Sequence, residues 1–310
     1  MSFTSSIKTE LCKVEPKHQC CLQAECYGIW LFSKCFTIKE SCFITECAPV
    51  ARHMLELAAA GLGVSPQLTY AISRRSLPAY KVTLPEEQDR AYLLQSFGHT
   101  GKEPSLRINR GILEADCCQE AFLRGAFLAC GVATDPNKSY HLEYAVPYQN
   151  LAFDLYTLLG EISSFSATPA IVRRQGVYGV YMKDSAQIEN LLIYLGAGKA
   201  SMDLMQVKMY KEVKNNINRK TNFETANMDK TYSASARQIA AIAAINDAHG
   251  LESLPDNLRE LAKLRLDDPE LTLRELSVLL GISRSGVNHR MKKLLEIGEC
   301  LIAQRGIDGL

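Results

Sequence analysis

Residues 117–130 read CCQEAFLRGAFLAC, and residues 20–33 read CCLQAECYGIWLFS. At an offset of 97, Cys20 and Cys21 stand against Cys117 and Cys118, Ala24 against Ala121, Gly28 against Gly125, and Leu31 against Leu128. Both stretches predict apolar helices. A glycine inside such a helix costs about 1 kcal/mol relative to alanine, so a glycine at the same place in both copies needs a packing reason. Lacking Cβ, it lets another backbone come close. Gly28 and Gly125 are therefore expected where the two helices pack on each other across a pseudo-twofold seam.

The repeat extends outward from these helices. Glu46 falls against Glu143 at the same offset. Arg74 and Arg75 fall against Arg173 and Arg174, Tyr80 against Tyr178, Leu93 and Leu94 against Leu191 and Leu192, and Gly98 against Gly196, at offsets of 98 to 99. Offsets this steady indicate tandem copies. In each copy the pattern predicts a helix (20–32; 117–129), a strand hairpin, a helix (50–61; 148–160), two strands (68–74 and 79–83; 169–174 and 177–182) and a closing helix (86–97; 185–195). In the second copy Asp135-Pro136-Asn137 supplies the hairpin turn and residues 140–146 a strand. The fold class is α+β, an αββαββα unit present twice, over residues 1–110 and 111–204.

Residues 205–230 are polar and basic, with VKMYKEVKNNINRKTNFETAN at 207–227. They read as a linker or as an arm on nucleic acid, with Arg219 and Lys220 as its contacts. Helices are predicted to resume at 233–249 and 258–267, opening an all-α domain at 231–310. Its centre is 271–295, LTLRELSVLLGISRSGVNHRMKKLL. Leu273, Leu276, Leu279 and Leu280 form the apolar stripe of one short helix, and Gly281 stands where a left-handed C-cap belongs. Ser283 is placed to cap a second helix, with Val287, Met291, Leu294 and Leu295 facing inward. Arg284, Ser285, Asn288, His289 and Lys292 face out, Arg290 and Lys293 adjoin them, and no acid interrupts 283–293. Helix, glycine turn and a cationic second helix form a helix-turn-helix pattern, whose second helix enters the major groove of double-stranded DNA. Arginine can fork to guanine, asparagine can pair with adenine, and lysine can meet phosphates. Gly286, in the first turn, lets the backbone approach a phosphate closely.

Charge agrees with a local footprint. The net charge is +1 overall, with 16 basic against 14 acidic residues from Val207 onward and 19 against 20 before it. The 11 cysteines are odd in number in a long chain with no leader, which favours reduced cytosolic thiols over a disulfide scaffold. No C-x-x-C pair occurs, so no metal site is expected. No apolar run approaches the ~20 residues of a membrane span. Phosphate-binding glycine loops and hydrolase motifs are absent, and no cofactor or small-molecule substrate is expected.

A glycine-bearing helix at the seam of a duplicated αββαββα unit resembles the LAGLIDADG homing-endonuclease fold. In the second copy Leu123-Arg124-Gly125-Ala126-Phe127-Leu128-Ala129-Cys130-Gly131 occupies the motif, and in the first Cys26-Tyr27-Gly28-Ile29-Trp30-Leu31-Phe32-Ser33-Lys34 does. Active members carry a metal-holding acid at the eighth position. Here Ser33 and Cys130 stand there, so the resemblance implies the scaffold without the nuclease. With the helix-turn-helix, the segments 121–129, 138–143, 218–227 and 285–290, and Leu254-Pro255, the whole chain resembles the WhiA family of bacterial sporulation and cell-division regulators. That resemblance implies a cytoplasmic, nucleoid-associated transcription factor of a Gram-positive bacterium, acting on double-stranded DNA with a sigma factor or other transcription protein as a further partner. Two rival readings stand beside it: an endonuclease holding metal on Glu46 and Glu143, and an adaptor that binds another transcription factor.

Overall fold

The computed structural model describes residues 2–72, 78–163 and 167–307. A first helix, α1 (Phe3–Leu11), precedes two copies of one element order. The first copy is α2 (Gln19–Leu31), β1 (Cys35–Phe36), β2 (Ser41–Thr45), α3 (Ala48–Leu62), β3 (Gln67–Ile72), β4 (Pro78–Thr83) and α4 (Glu87–Ser96). The second is α5 (Asp116–Cys130), β5 (Gly131–Ala133), β6 (Leu142–Val146), α6 (Gln149–Glu161), β7 (Ala170–Arg174), β8 (Val177–Met182) and α7 (Ser185–Leu195). Among the described residues four α-helices follow: α8 (Gly198–His249), α9 (Asp256–Asp267), α10 (Leu273–Leu279) and α11 (Arg284–Ile307). This is the α+β duplicated αββαββα unit followed by a helical region. The chain divides into two compact units, Met1–Glu212 and Val213–Leu310.

Each copy forms one antiparallel sheet, in the orders β1-β2-β4-β3 and β5-β6-β8-β7. The helices α2 and α5 meet backbone to backbone. A Cβ on Gly28 would lie 2.2 Å from Phe122 O and 2.9 Å from Ala126 N, and one on Gly125 would lie 2.1 Å from Glu25 O and 3.1 Å from Ile29 N. Shifting Phe122 and Ala126 back by the repeat offset lands on Glu25 and Ile29, so the crossing is pseudo-twofold. Around it Tyr27, Trp30, Phe122 and Phe127 are fully buried. The seam also buries a charge. Glu25 accepts from Arg124 Nε at 2.9 Å and lies 2.7 Å from His53 Nε2, while Arg124 Nη1 donates to Leu195 O at 3.1 Å.

The sheet registers revise one equivalence. Cys35 pairs Cys42 in the first copy and Val132 pairs Glu143 in the second. Cys35 and Val132 keep the offset of 97, yet their partners differ by 101, so Glu143 is the counterpart of Cys42 and not of Glu46. The cause is four extra residues in the second hairpin, whose turn is closed by Asp135 accepting from Asn137 N at 2.9 Å. Glu46 follows β2 and is exposed, whereas Glu143 lies within β6, bonded to His141 Nε2 at 2.9 Å.

The polar stretch 205–230, expected as a linker or arm, is helix throughout, as is the segment before 233. No glycine or proline interrupts residues 199–249, and lysine, methionine, glutamate and alanine carry good helix propensity. The asparagines lower that propensity without breaking it. Within the first unit Ala200 and Leu204 of α8 join the core; within the second, Ile242 and Ile245 do. Every side chain from Glu212 to Ala234 is exposed.

Candidate nucleic-acid interface

The second unit has its own core, in which Ile242 and Ile245 of α8, Leu258, Leu261 and Ala262 of α9, Leu276 of α10, and Val287, Met291 and Leu294 of α11 are buried together. Gly298 of α11 lets that helix cross α8 closely, since a Cβ there would fall 2.4 Å from Ala241 O. Thr272 and Glu275 form a reciprocal capping box at the start of α10, a T-x-x-E signal present in the sequence and overlooked in reading it. At the other end of α10, Gly281 has φ +63°. Its N–H donates to Val278 O at 3.2 Å and the Ile282 N–H to Ser277 O at 3.1 Å, the two bonds of a Schellman motif. Two residues later Ser283 Oγ accepts from Gly286 N at 3.1 Å and opens α11. Leu279 departs from the expected stripe. Six residues beyond Leu273 is one and two-thirds turns, so its side chain leaves the core face and is 58% exposed.

The turn sets the first residues of α11 in solvent. Arg284, Ser285, Asn288, His289, Lys292 and Lys293 are exposed, and none is an acid. The first contact with an anion therefore meets free backbone N–H groups, the positive end of a helix and cationic side chains together. A Cβ at Gly286 would meet Ser283 Oγ at 3.4 Å and Ile282 Cδ1 at 3.6 Å, ordinary contacts, so internal packing does not require the glycine. Arg290 is placed differently from its neighbours: half-buried, it donates from Nη1 to Asn257 O at 3.3 Å and braces α11 against the start of α9. Lys292 lies 4.0 Å from Glu296 one turn on. Arg274 and Lys230, which are not among the residues expected from the sequence, join Arg284 around a cavity of about 470 Å³.

On α8 the basic cluster is split. Lys208 lies 3.4 Å from Glu189, and Lys211 donates to Pro136 O at 2.6 Å, so both are engaged within the first unit. Lys214, Arg219 and Lys220 are exposed. Of the arginines matched between copies, Arg74 and Arg75 lie outside the described residues. Arg173 is exposed over the Tyr178 ring, and Arg174 is 3.9 Å from Glu143.

The residues at the degenerate motif positions offer little to a hard cation. Ser33 is buried, with Oγ 2.6 Å from Trp30 O and 3.1 Å from Cys35 O. Cys130 directs Sγ to Ala126 O at 3.3 Å, and burial pushes its thiol up to about 12 despite the nearby Lys8. That lysine donates from Nζ to Leu128 O at 2.9 Å, at the C-terminal, negative end of α5, and burial lowers its pKa against the opposing effect of Cys130, Cys47 and Cys12.

A duplicated LAGLIDADG-like unit joined to a helix-turn-helix unit defines a protein of the DNA-binding, helix-turn-helix class. Family models agree unit by unit: the WhiA LAGLIDADG-like domain matches residues 119–214 and the WhiA C-terminal HTH domain matches residues 217–298. The "Probable cell division protein WhiA" of Alkaliphilus metalliredigens (strain QYMF) is 34% identical over 313 residues, covering 96% of this chain and 98% of that protein. The protein of the same name from Ruminiclostridium cellulolyticum is 35% identical over 308 residues, covering 96% and 97%. The chain belongs to the WhiA family. The crystal structure of full-length DUF199/WhiA from Thermatoga maritima shares the fold, with a TM-score of 0.60 at 24% identity, covering 96% of this chain and 98% of that one.

Proposed function

We propose that this protein is a sequence-specific, non-catalytic transcriptional regulator concerned with cell division and chromosome segregation or sporulation, in which α11 reads the major groove. The observation that carries the reading is the capped, acid-free start of α11, where Arg284, Ser285 and Asn288 stand clear of the core. Lys292 and Lys293 follow as phosphate contacts, His289 lies among them, and Arg219 and Lys220 extend the cationic surface along α8. The cell-division name of the relatives supports the biological setting. Absence of cleavage is supported by Ser33 and Cys130, and by the loss of equivalence between Glu46 and Glu143. The site of action proposed is the nucleoid, with a sigma factor or other transcription protein as a docking partner of the duplicated unit.

Sequencing of DNA crosslinked to the intact protein, with footprinting of the recovered sites, tests the regulator reading. A defined motif upstream of a limited gene set is expected, and the same DNA incubated with Mg²⁺ or Mn²⁺ is expected to stay intact. Metal-dependent cutting abolished by Glu143→Gln would overturn the non-catalytic reading.

A further inference from the structure

The repeat carries a Cys-Cys pair at the start of each seam helix, and the fold brings the pairs together. Cys20 and Cys21 are the second and third residues of α2, Cys117 and Cys118 the second and third of α5. All four Sγ atoms lie within 4.8 Å of one another, although the pairs are 97 residues apart in the chain. We propose that these four thiols form a tetrathiolate site for one Zn²⁺ ion, a clip that joins the two copies at the N-terminal ends of α2 and α5.

The geometry suits that ion. Zn–S bonds of about 2.3 Å in a tetrahedron put the sulfurs about 3.8 Å apart, so sub-ångström to ångström side-chain shifts close the shell. Four soft donors select zinc over Mg²⁺ or Ca²⁺. The site is half shielded, with Cys21 and Cys118 buried, Cys117 half-buried and Cys20 exposed, which leaves an entry path. Neither helix has a side-chain cap, since His18 and Ala115 make no capping hydrogen bond. The positive ends of two helices thus lie beside the net negative charge of a zinc tetrathiolate, while the Cys21 and Cys118 N–H groups donate to His18 O and Ala115 O.

Proton balance sets the conditions. Burial, with the neighbouring Cys20 and Cys117, pushes the Cys118 thiol up to about 12. Binding replaces four S–H protons by one Zn²⁺ and releases the four protons to solvent, with no change of oxidation state, so affinity rises with pH. The chain length between the pairs explains why spacing rules miss the site: each copy supplies half a ligand set, and only the seam assembles it. The ion would sit at the opposite end of the α2–α5 pair from Ser33 and Cys130.

The test uses the full chain without an affinity tag, purified under reductant from zinc-supplemented cells. Mass spectrometry of the metal is expected to find about one zinc per chain. Replacement by Co²⁺ should give the thiolate-to-cobalt charge-transfer band and the intense visible bands of a tetrahedral sulfur site. Cys20→Ser with Cys117→Ser should abolish both, while Cys35→Ser, in the separate Cys35, Glu40 and Cys42 cluster, should abolish neither. Should the double variant fail to fold, alkylation of the native wild type decides: bound zinc protects Cys20, Cys21, Cys117 and Cys118, and a chelator exposes them. Substoichiometric zinc with no cobalt–thiolate band, or recovery of these cysteines as disulfides under the same reductant, overturns the proposal.

Discussion

Gly28 and Gly125 show how much a single missing methyl can determine. At each, an added Cβ would come within about 2 Å of a carbonyl oxygen of the opposing backbone, and backbone cannot rotate aside as a side chain can. Gly28→Ala or Gly125→Ala is expected to lower stability by about 3 kcal/mol, the upper end of ordinary overpacking costs, read from urea unfolding. Gly160→Ala, in α6 with nothing within 4 Å of its Cβ, is the matched control and is expected to gain up to about 1 kcal/mol. His99 supplies a second residue-scale effect. It lies 2.9 Å from Tyr27 Oη, packs edge-on against Phe36, and has Glu103 3.9 Å away. Burial lowers its pKa below the ordinary histidine value, and Glu103 only partly opposes this. The unfolded chain therefore binds the proton more readily, so His99 contributes stability that is present above about pH 6.5 and lost as pH falls through the folded pKa. Urea midpoints at pH 7.5 and pH 5, above the range where Glu103 titrates, are expected to fall less in His99→Gln than in wild type. An equal fall in both would show that His99 is not the group responsible.

At the scale of the element, α11 separates reading from holding. Arg284→Ala or Asn288→Ala is expected to cost about 1–3 kcal/mol and to relax one base position. Lys292→Ala or Lys293→Ala is expected to weaken binding to every sequence and lower the salt slope by about 1 each. Arg290→Ala should act through the brace to Asn257, lowering stability of the second unit more than base selectivity. Competition binding on specific and random duplexes across salt concentrations resolves the three classes; equal losses on both duplexes for all variants would remove α11 from the groove.

For the whole molecule, the division of labour follows the charge. The acid-free cationic stretch 283–293 belongs to the second unit, which has its own core, while the first unit engages Arg174, Lys208 and Lys211 internally. Phosphate neutralisation supplies most non-specific affinity. Residues 207–310 are therefore expected to retain sequence preference, and residues 1–198 to add affinity without selectivity. Binding-site selection on the two fragments measures this directly, and a defined motif recovered by residues 1–198 alone would reverse the assignment.

The duplication, the glycine seam and the turn between α10 and α11 were legible in the chain because each rests on local rules. Periodicity marks a helix face, glycine marks a left-handed or crowded position, and serine marks a cap. The rest depended on which elements meet. Four extra hairpin residues moved Glu143 onto the position of Cys42, a shift that only strand pairing reveals. The α8 stretch looked like an arm because it is polar and basic, yet a run free of glycine and proline, with packed ends, makes it helix. Arg290 looked identical to its neighbours until α9 came within reach of its guanidinium. The four cysteines are the clearest case: sequence spacing encodes neighbours three or four residues apart, whereas a close backbone crossing at Gly28 and Gly125 is what brings two helix starts, and their thiols, to one point.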